Sequence, residues 1–243
     1  MIPVDSLLYK IDQKLNKLST NEHQQIPLED KILALNEAQI LLIKNKVSGM
    51  SIPVGIGFDG FRKRYEDLQN LVEDYKDHPL SLSETDKNLN KWSGDITKLN
   101  PTYLFYISSY IIADKGKCKD RIIWVNPELT KHGDVPILLN NEHYKPSFEY
   151  QETFNEISSN KISIFTDGTF SPKKLYIMYL RYPAYIDKAG YVNFEGENSV
   201  DRNCELASFL EDELLNLTVA ALADYTENIS ASNTARYRTQ VNE

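Results

Sequence analysis

Apolar residues change their period along this chain of 243 residues, and that change limits the folds open to it. At both ends they recur every three or four positions, the spacing of a helix face. In the middle they gather into short β-branched and aromatic runs, the signature of strands. Val4, Leu7, Leu8, Ile11, Leu15 and Leu18 form the first helical stripe, with Lys10, Asp12, Lys14 and Lys17 on the other faces. A second helix opens at Pro27, carries Glu29 and Asp30 at its positive end, and runs through Leu28, Ile32, Leu35, Gln39 and Leu42 to a stop at Gly49. Leu33, Ile40 and Leu41 lie on its other flank, so it is expected to touch neighbours on two sides. A third helix is expected after Asp59, with Phe61, Tyr65, Leu68, Val72 and Tyr75 on one stripe. The fourth is expected from Asp201 or Asn203 to Tyr225. Its second half, LLNLTVAALA, is apolar almost all round: Leu214, Leu217 and Ala221 line one face, and Leu215, Val219 and Leu222 another. Such a helix must be surrounded.

Between these ends the texture differs. Residues 78–100 are polar and turn-rich and read as a connection. Tyr103–Ile112, Arg121–Val125, Lys161–Phe165 and Leu175–Tyr182 read as strands, and Asn140–Ser159 is open between strand and loop. Large apolar groups on both faces of the Tyr103 and Leu175 strands call for cover on two sides, as in a sandwich, a small barrel or a sheet under helices. The class is therefore α+β.

Composition narrows function. With 27 Lys+Arg against 35 Asp+Glu the net charge is −8, which disfavours a protein that grips nucleic acid by neutralising phosphates. No run approaches the roughly 18 to 20 apolar residues of a membrane helix, and the N-terminus is broken by charges, so a chain made and used without export and without membrane contact is expected. Cys118 and Cys204 lack a CxxC or His neighbour and are expected to be isolated thiols. Fifteen Tyr and nine Phe favour contact surfaces, since Tyr is satisfied when half buried at an interface.

Patterns with catalytic meaning are weak. Residues Gly55–Gly60, GIGFDG, match G-x-G-x-x-G, but a long helix precedes them where a dinucleotide fold has a strand. A helix-to-helix loop with Ile56 and Phe58 as a contact tip is the reading preferred over a phosphate cradle. His23, His78, His132 and His143 form no helical metal pair; His132, Asp134, Glu142 and His143 are close in sequence but read as solvated loop groups. Glu211, Asp212 and Glu213 read as a solvated helix face. The sequons at Asn216 and Asn228 are read as chance without an export signal. No reaction, cofactor or metal is expected.

The last third carries a more particular pattern: LRYPAYID, then DRNCELASFLEDELLNLTVAALADYTEN, then an Arg-containing tail ending QVNE. It resembles the head-to-tail connector, or adaptor ring, proteins of short-tailed bacteriophages, especially crAss-like phages. The resemblance implies a helical bundle made from the N- and C-terminal helices, a β-rich domain inserted between them, and an extended C-terminal arm. The corresponding segments are 1–77, 78–200, 201–229 and 230–243. It further implies a virion structural protein, not an enzyme, of which twelve copies form a ring between portal and tail and line the DNA exit channel. Such a protein is made in the host cytoplasm. Its partners would be other copies of itself, the portal, neighbouring tail or ring proteins, and passing double-stranded DNA bound without sequence specificity.

Physical features agree with this resemblance. A ring needs two different patches per subunit, and the flanks Leu33, Ile40, Leu41 and Leu215, Val219, Leu222 are the candidates. An arm of 14 residues spans about 45 Å at roughly 3.3 Å per residue, with Arg236, Tyr237 and Arg238 as anchors against the portal. Another ring, head-completion or tail-assembly protein of the same vertex is the alternative, and a nucleotide-dependent cytoplasmic enzyme using Gly55–Gly60 is a third reading.

Overall fold

The computed structural model describes residues 1–18, 26–48, 66–82, 89–126, 129–192, 196–225 and 233–237. The protein is a mixed α+β chain with two β-sheets, and it divides into two compact units: Met1–Leu71 with Pro183–Glu243, and Val72–Tyr182. These limits fall at 71/72 and 182/183, where the sequence placed them at 77/78 and 200/201.

In the first unit, α1 (Val4–Leu18) and α2 (Leu28–Ser48) pack against α4 (Glu211–Tyr225). Val4, Leu7, Ile11 and Leu15 of α1 are buried, the stripe the sequence showed, and each such side chain is worth about 1.5–3 kcal/mol. The start of α1 is held from the far end of the chain: the Val4 amide donates to Asn203 Oδ1 at 3.1 Å, and Ile2 and Cys204 exchange backbone hydrogen bonds at 2.8 and 3.0 Å. This explains why the last helix begins late. Residues 201–207 were expected to be helical, but Arg202 and Cys204 commit their backbone groups to Asp187 and Ile2. Only a 3₁₀ turn, Ser208–Leu210, precedes α4. On α2, the buried Asn36 donates to the carbonyls of Ile32 and Ile186 and accepts from the Ile186 amide, all at 2.8 Å, and so fixes the segment entering from residue 183.

The second unit is a two-sheet sandwich. One sheet has the order β1 (Val72–Pro79), β9 (Ser171–Arg181), β4 (Tyr103–Lys115), β5 (Cys118–Val125), β6 (Glu152–Thr153). The other has the order β2 (Ser81–Leu82), β3 (Lys91–Asp95), β8 (Lys161–Phe165), β7 (Asn155–Ser158). All pairings are antiparallel except β5 with β6. Ile111 and Ala113 of β4, Ile123 of β5, and Leu175, Ile177 and Tyr179 of β9 meet Ile162 and Ile164 of β8 in one core. A short helix, α3 (Val135–Asn140), adds a smaller cluster in which Val135 packs with Phe154 and Phe165.

Two sequence expectations fail here. The third helix was expected to run through Val72 and Tyr75, yet those residues lie in β1, paired with Leu180 and Ile177 of β9. Long-range pairing overrides a local three-residue spacing, and among the described residues only Glu66–Asp67 and the 3₁₀ turn Gln69–Leu71 of that segment are helical. The polar stretch 78–100, expected to be a connection, supplies the end of β1 together with β2 and β3. The open segment 140–159 resolves into β6 and β7 after a non-strand stretch.

Candidate functional site: exposed apolar faces and an open cleft

The flank of α2 singled out in the sequence is uncovered in part. Leu33 is 40% exposed and Leu41 47%, Val47 is exposed on the same helix, and Ile40 is half-buried, while Ile32, Leu35, Leu42 and Ile43 fill the interior. Glu37 and Lys44 are the charged residues exposed between them. The flank proposed on the last helix is different and requires correction. Leu215, Val219 and Leu222 are 0%, 1% and 2% exposed, so they belong to the core of their own chain and present nothing to a neighbour. α4 lies against both α1 and α2, which cover this flank. The exposed apolar groups of this unit outside α2 include Tyr9 on α1 and Phe209 just before α4.

The acidic start of α4, expected to be a solvated face, meets lysines instead. Lys10 pairs with Glu211 at 2.7 Å and Lys14 with Asp212 at 3.4 Å. Lys46 Nζ lies 2.9 Å from Glu213 and 3.6 Å from Asp67, with all three side chains buried. The three buried side chains form one ion-pair cluster between α2, Asp67 and the start of α4.

In the second unit, an aromatic row crosses the outer face of the five-stranded sheet. Tyr110 on β4 stands opposite Tyr176 on β9 and Trp124 on β5. The two tyrosine rings stack at 4.6 Å and 7°, and Trp124 lies 5.8 Å from Tyr110 at 55°. Trp124 is 61% exposed, and Ile122, opposite Ile112 in the next row, is exposed too. The tyrosines turn their faces to each other, while Trp124 is tilted against Tyr110. The Tyr176 hydroxyl donates to Asp77 at 3.1 Å, and the Lys174 ammonium, 2.9 Å away, is the main reason Asp77 titrates below the usual carboxylate range. The sequence placed Tyr110, Ile112, Ile122 and Trp124 in strand-like runs, but the register that aligns them on one face comes only from pairing.

At one end of this sandwich an open cleft of about 430 Å³ is lined by Leu82, Asn90, Trp92, Asp114, Lys119 and Phe170, among others. Asp114 accepts from Lys173 at 2.7 Å, from the Asp120 amide at 2.8 Å and from Lys119 at 3.2 Å, with Lys173 the main cause of its pKa of about 2. It stays ionised at neutral pH and acts as an electrostatic fixture, not as an acid.

The remaining candidates are dispersed. Gly55–Gly60, with Ile56 and Phe58, lies outside the described residues. Among the described residues no group of three or more His, Cys, Asp or Glu is placed to hold a metal ion. His132 instead contacts the buried Glu156 at 2.5 Å, with Lys91 at 3.4 Å on the other carboxylate oxygen. Cys118 and Cys204 are free thiols, and burial pushes Cys204 up to about 11. No described helix is long and apolar enough to cross a membrane.

The arm also departs from expectation where it is described. Residues 233–237 are helical rather than extended, Ala235 is buried, and Arg236 pairs with Asp224 of its own chain. Tyr237 is exposed, and Arg238 lies outside the described residues. No protein-family model matches the chain, and no curated protein matches its sequence.

Proposed function

We propose that this chain is a virion structural subunit, a head-to-tail connector that packs side by side with its own copies into a ring between portal and tail. The observation that carries the reading is the apolar stripe Leu33, Leu41 and Val47, left uncovered on a helix whose opposite side is fully closed into a core. A ring of identical subunits buries two unlike patches per subunit. The α2 stripe is one, and Tyr9 with Phe209 supplies the apolar groups of the other. In this reading the helical unit is the bundle that forms the ring wall, and Val72–Tyr182 is the inserted β domain that reaches neighbouring tail or ring proteins through Trp124 and Ile122. Twelve copies surround the genome's path, and their net negative charge lets double-stranded DNA pass without being gripped. Segment 230–243 meets the portal. With Arg236 tied to Asp224, Tyr237 and Arg238 are its anchors.

The test is imaging of purified particles carrying a small tag on this chain. Label at the unique vertex, between portal and tail, is the expected result. Label elsewhere on the particle, or a chain absent from particles, overturns the proposal.

A further inference from the structure

Within the sandwich, the chain turns a corner at residues 76–81, leaving one sheet as β1 and entering the other as β2. A bulge between Tyr75 and His78 makes the corner, with Asp77 at a φ of 61°. Asp77 pins it on the outside through Lys174 and Tyr176. His78 pins it on the inside. Its imidazole is 0% exposed, neither ring nitrogen has a hydrogen-bond partner, and it meets the Tyr75 ring edge-on at 5.7 Å. Gly94 of β3 is what makes room: a Cβ there would sit 2.7 Å from the imidazole.

We propose that His78 is an acid-sensitive latch: neutral, it seals the corner against β3, and protonated, it forces the corner open and frees edge strand β2. The inference is independent of the ring reading.

The groups facing the imidazole give a cation no shelter. β9 presents Leu175 opposite His78, and β1 presents the Tyr75 ring. From β3 comes Asp95, whose carboxylate is engaged by the Thr97 amide at 3.0 Å and hydroxyl at 2.6 Å; the following turn contributes Lys98, which opposes positive charge. Burial is the leading cause that holds His78 below its ordinary value of 6.5, outweighing the attraction of Asp95.

The sign follows from linkage. The open state binds the proton more readily than the closed one, so closure is fully favoured above about pH 6.5 and weakens as pH falls below it. At pH 5.5 the opening equilibrium is therefore higher than at pH 7.5. Asp77 and Asp95, held low, stay ionised through this window and do not contribute to it. Opening separates Ser81 and Leu82 from Ser93 and Trp92, which bares the backbone edge of β3.

Hydrogen exchange on the full chain, corrected for the intrinsic pH dependence of amide exchange, tests this directly. Amides of residues 75–82 and 91–95 should lose protection at pH 5.5 relative to pH 7.5, with β4 and β9 unchanged, and His78→Phe should abolish the loss. A second measurement needs no substitution: in the intact chain, the NMR signals of His78 should titrate below the ordinary value of 6.5. Equal protection at both pH values, a His78→Phe protein that still loosens, or an imidazole that titrates near 6.5 with the corner closed would each overturn the proposal.

Discussion

Helices α2 and α4 look alike in sequence, each with apolar residues spread around most of its circumference, yet the fold treats them oppositely. Leu215, Val219 and Leu222 of α4 are buried by their own chain, whereas Leu33 and Leu41 of α2 stay 40% and 47% exposed. The difference is one of neighbours. α4 lies against both α1 and α2. An all-round apolar helix thus identifies a need for cover, and topology decides whether the same chain or another polypeptide meets it.

Three substitutions probe this contrast, in descending order of expected effect. Lys46→Ala removes the cation shared by Glu213 and Asp67 where α2 faces α4, and leaving buried carboxylates without it costs about 3–5 kcal/mol. Chemical denaturation should show a large fall in midpoint; an unchanged midpoint would show that water reaches the cluster. Leu215→Ala hollows the core side of α4 and should cost about 2–5 kcal/mol, read as a drop in Tm. If the loss were under about 0.5 kcal/mol, the flank of α4 would not be core and the contrast with α2 would fail. If the proposed ring forms through α2, Leu41→Asp on the exposed stripe should change stability by no more than about 0.5 kcal/mol while abolishing self-association, measured by light scattering. Retained assembly would move the subunit contact away from α2.

Much of the fold was legible in sequence where local period and tertiary role agree. Val4, Leu7, Ile11 and Leu15 of α1 could be read as one buried face because a helix brings them together by itself. Lys161–Phe165 matched β8 residue for residue. Where local and distant interactions compete, the reading failed. Val72 and Tyr75 fit a helical spacing, but pairing with β9 claims them. Residues 201–207 continue an apparent helix, yet Ile2 and Asp187, about 200 and 15 positions away respectively, take their backbone groups. The candidate surfaces divide in the same way. Leu33 and Leu41 were visible as a second apolar flank, whereas the row Tyr176, Tyr110, Trp124 depends on strand register and the latch at His78 on a glycine 16 positions later in another sheet.

By itself the sequence determined which segments are amphipathic, which are strand-like, and that the chain carries more apolar helix surface than polar cover, because these follow from residue order over a few turns. Tertiary structure alone decided which of that surface stays outside, which strands align their aromatics, and which histidine is sealed from water. Those outcomes depend on contacts between residues far apart in the chain, and their energies appear only once the chain has closed upon itself.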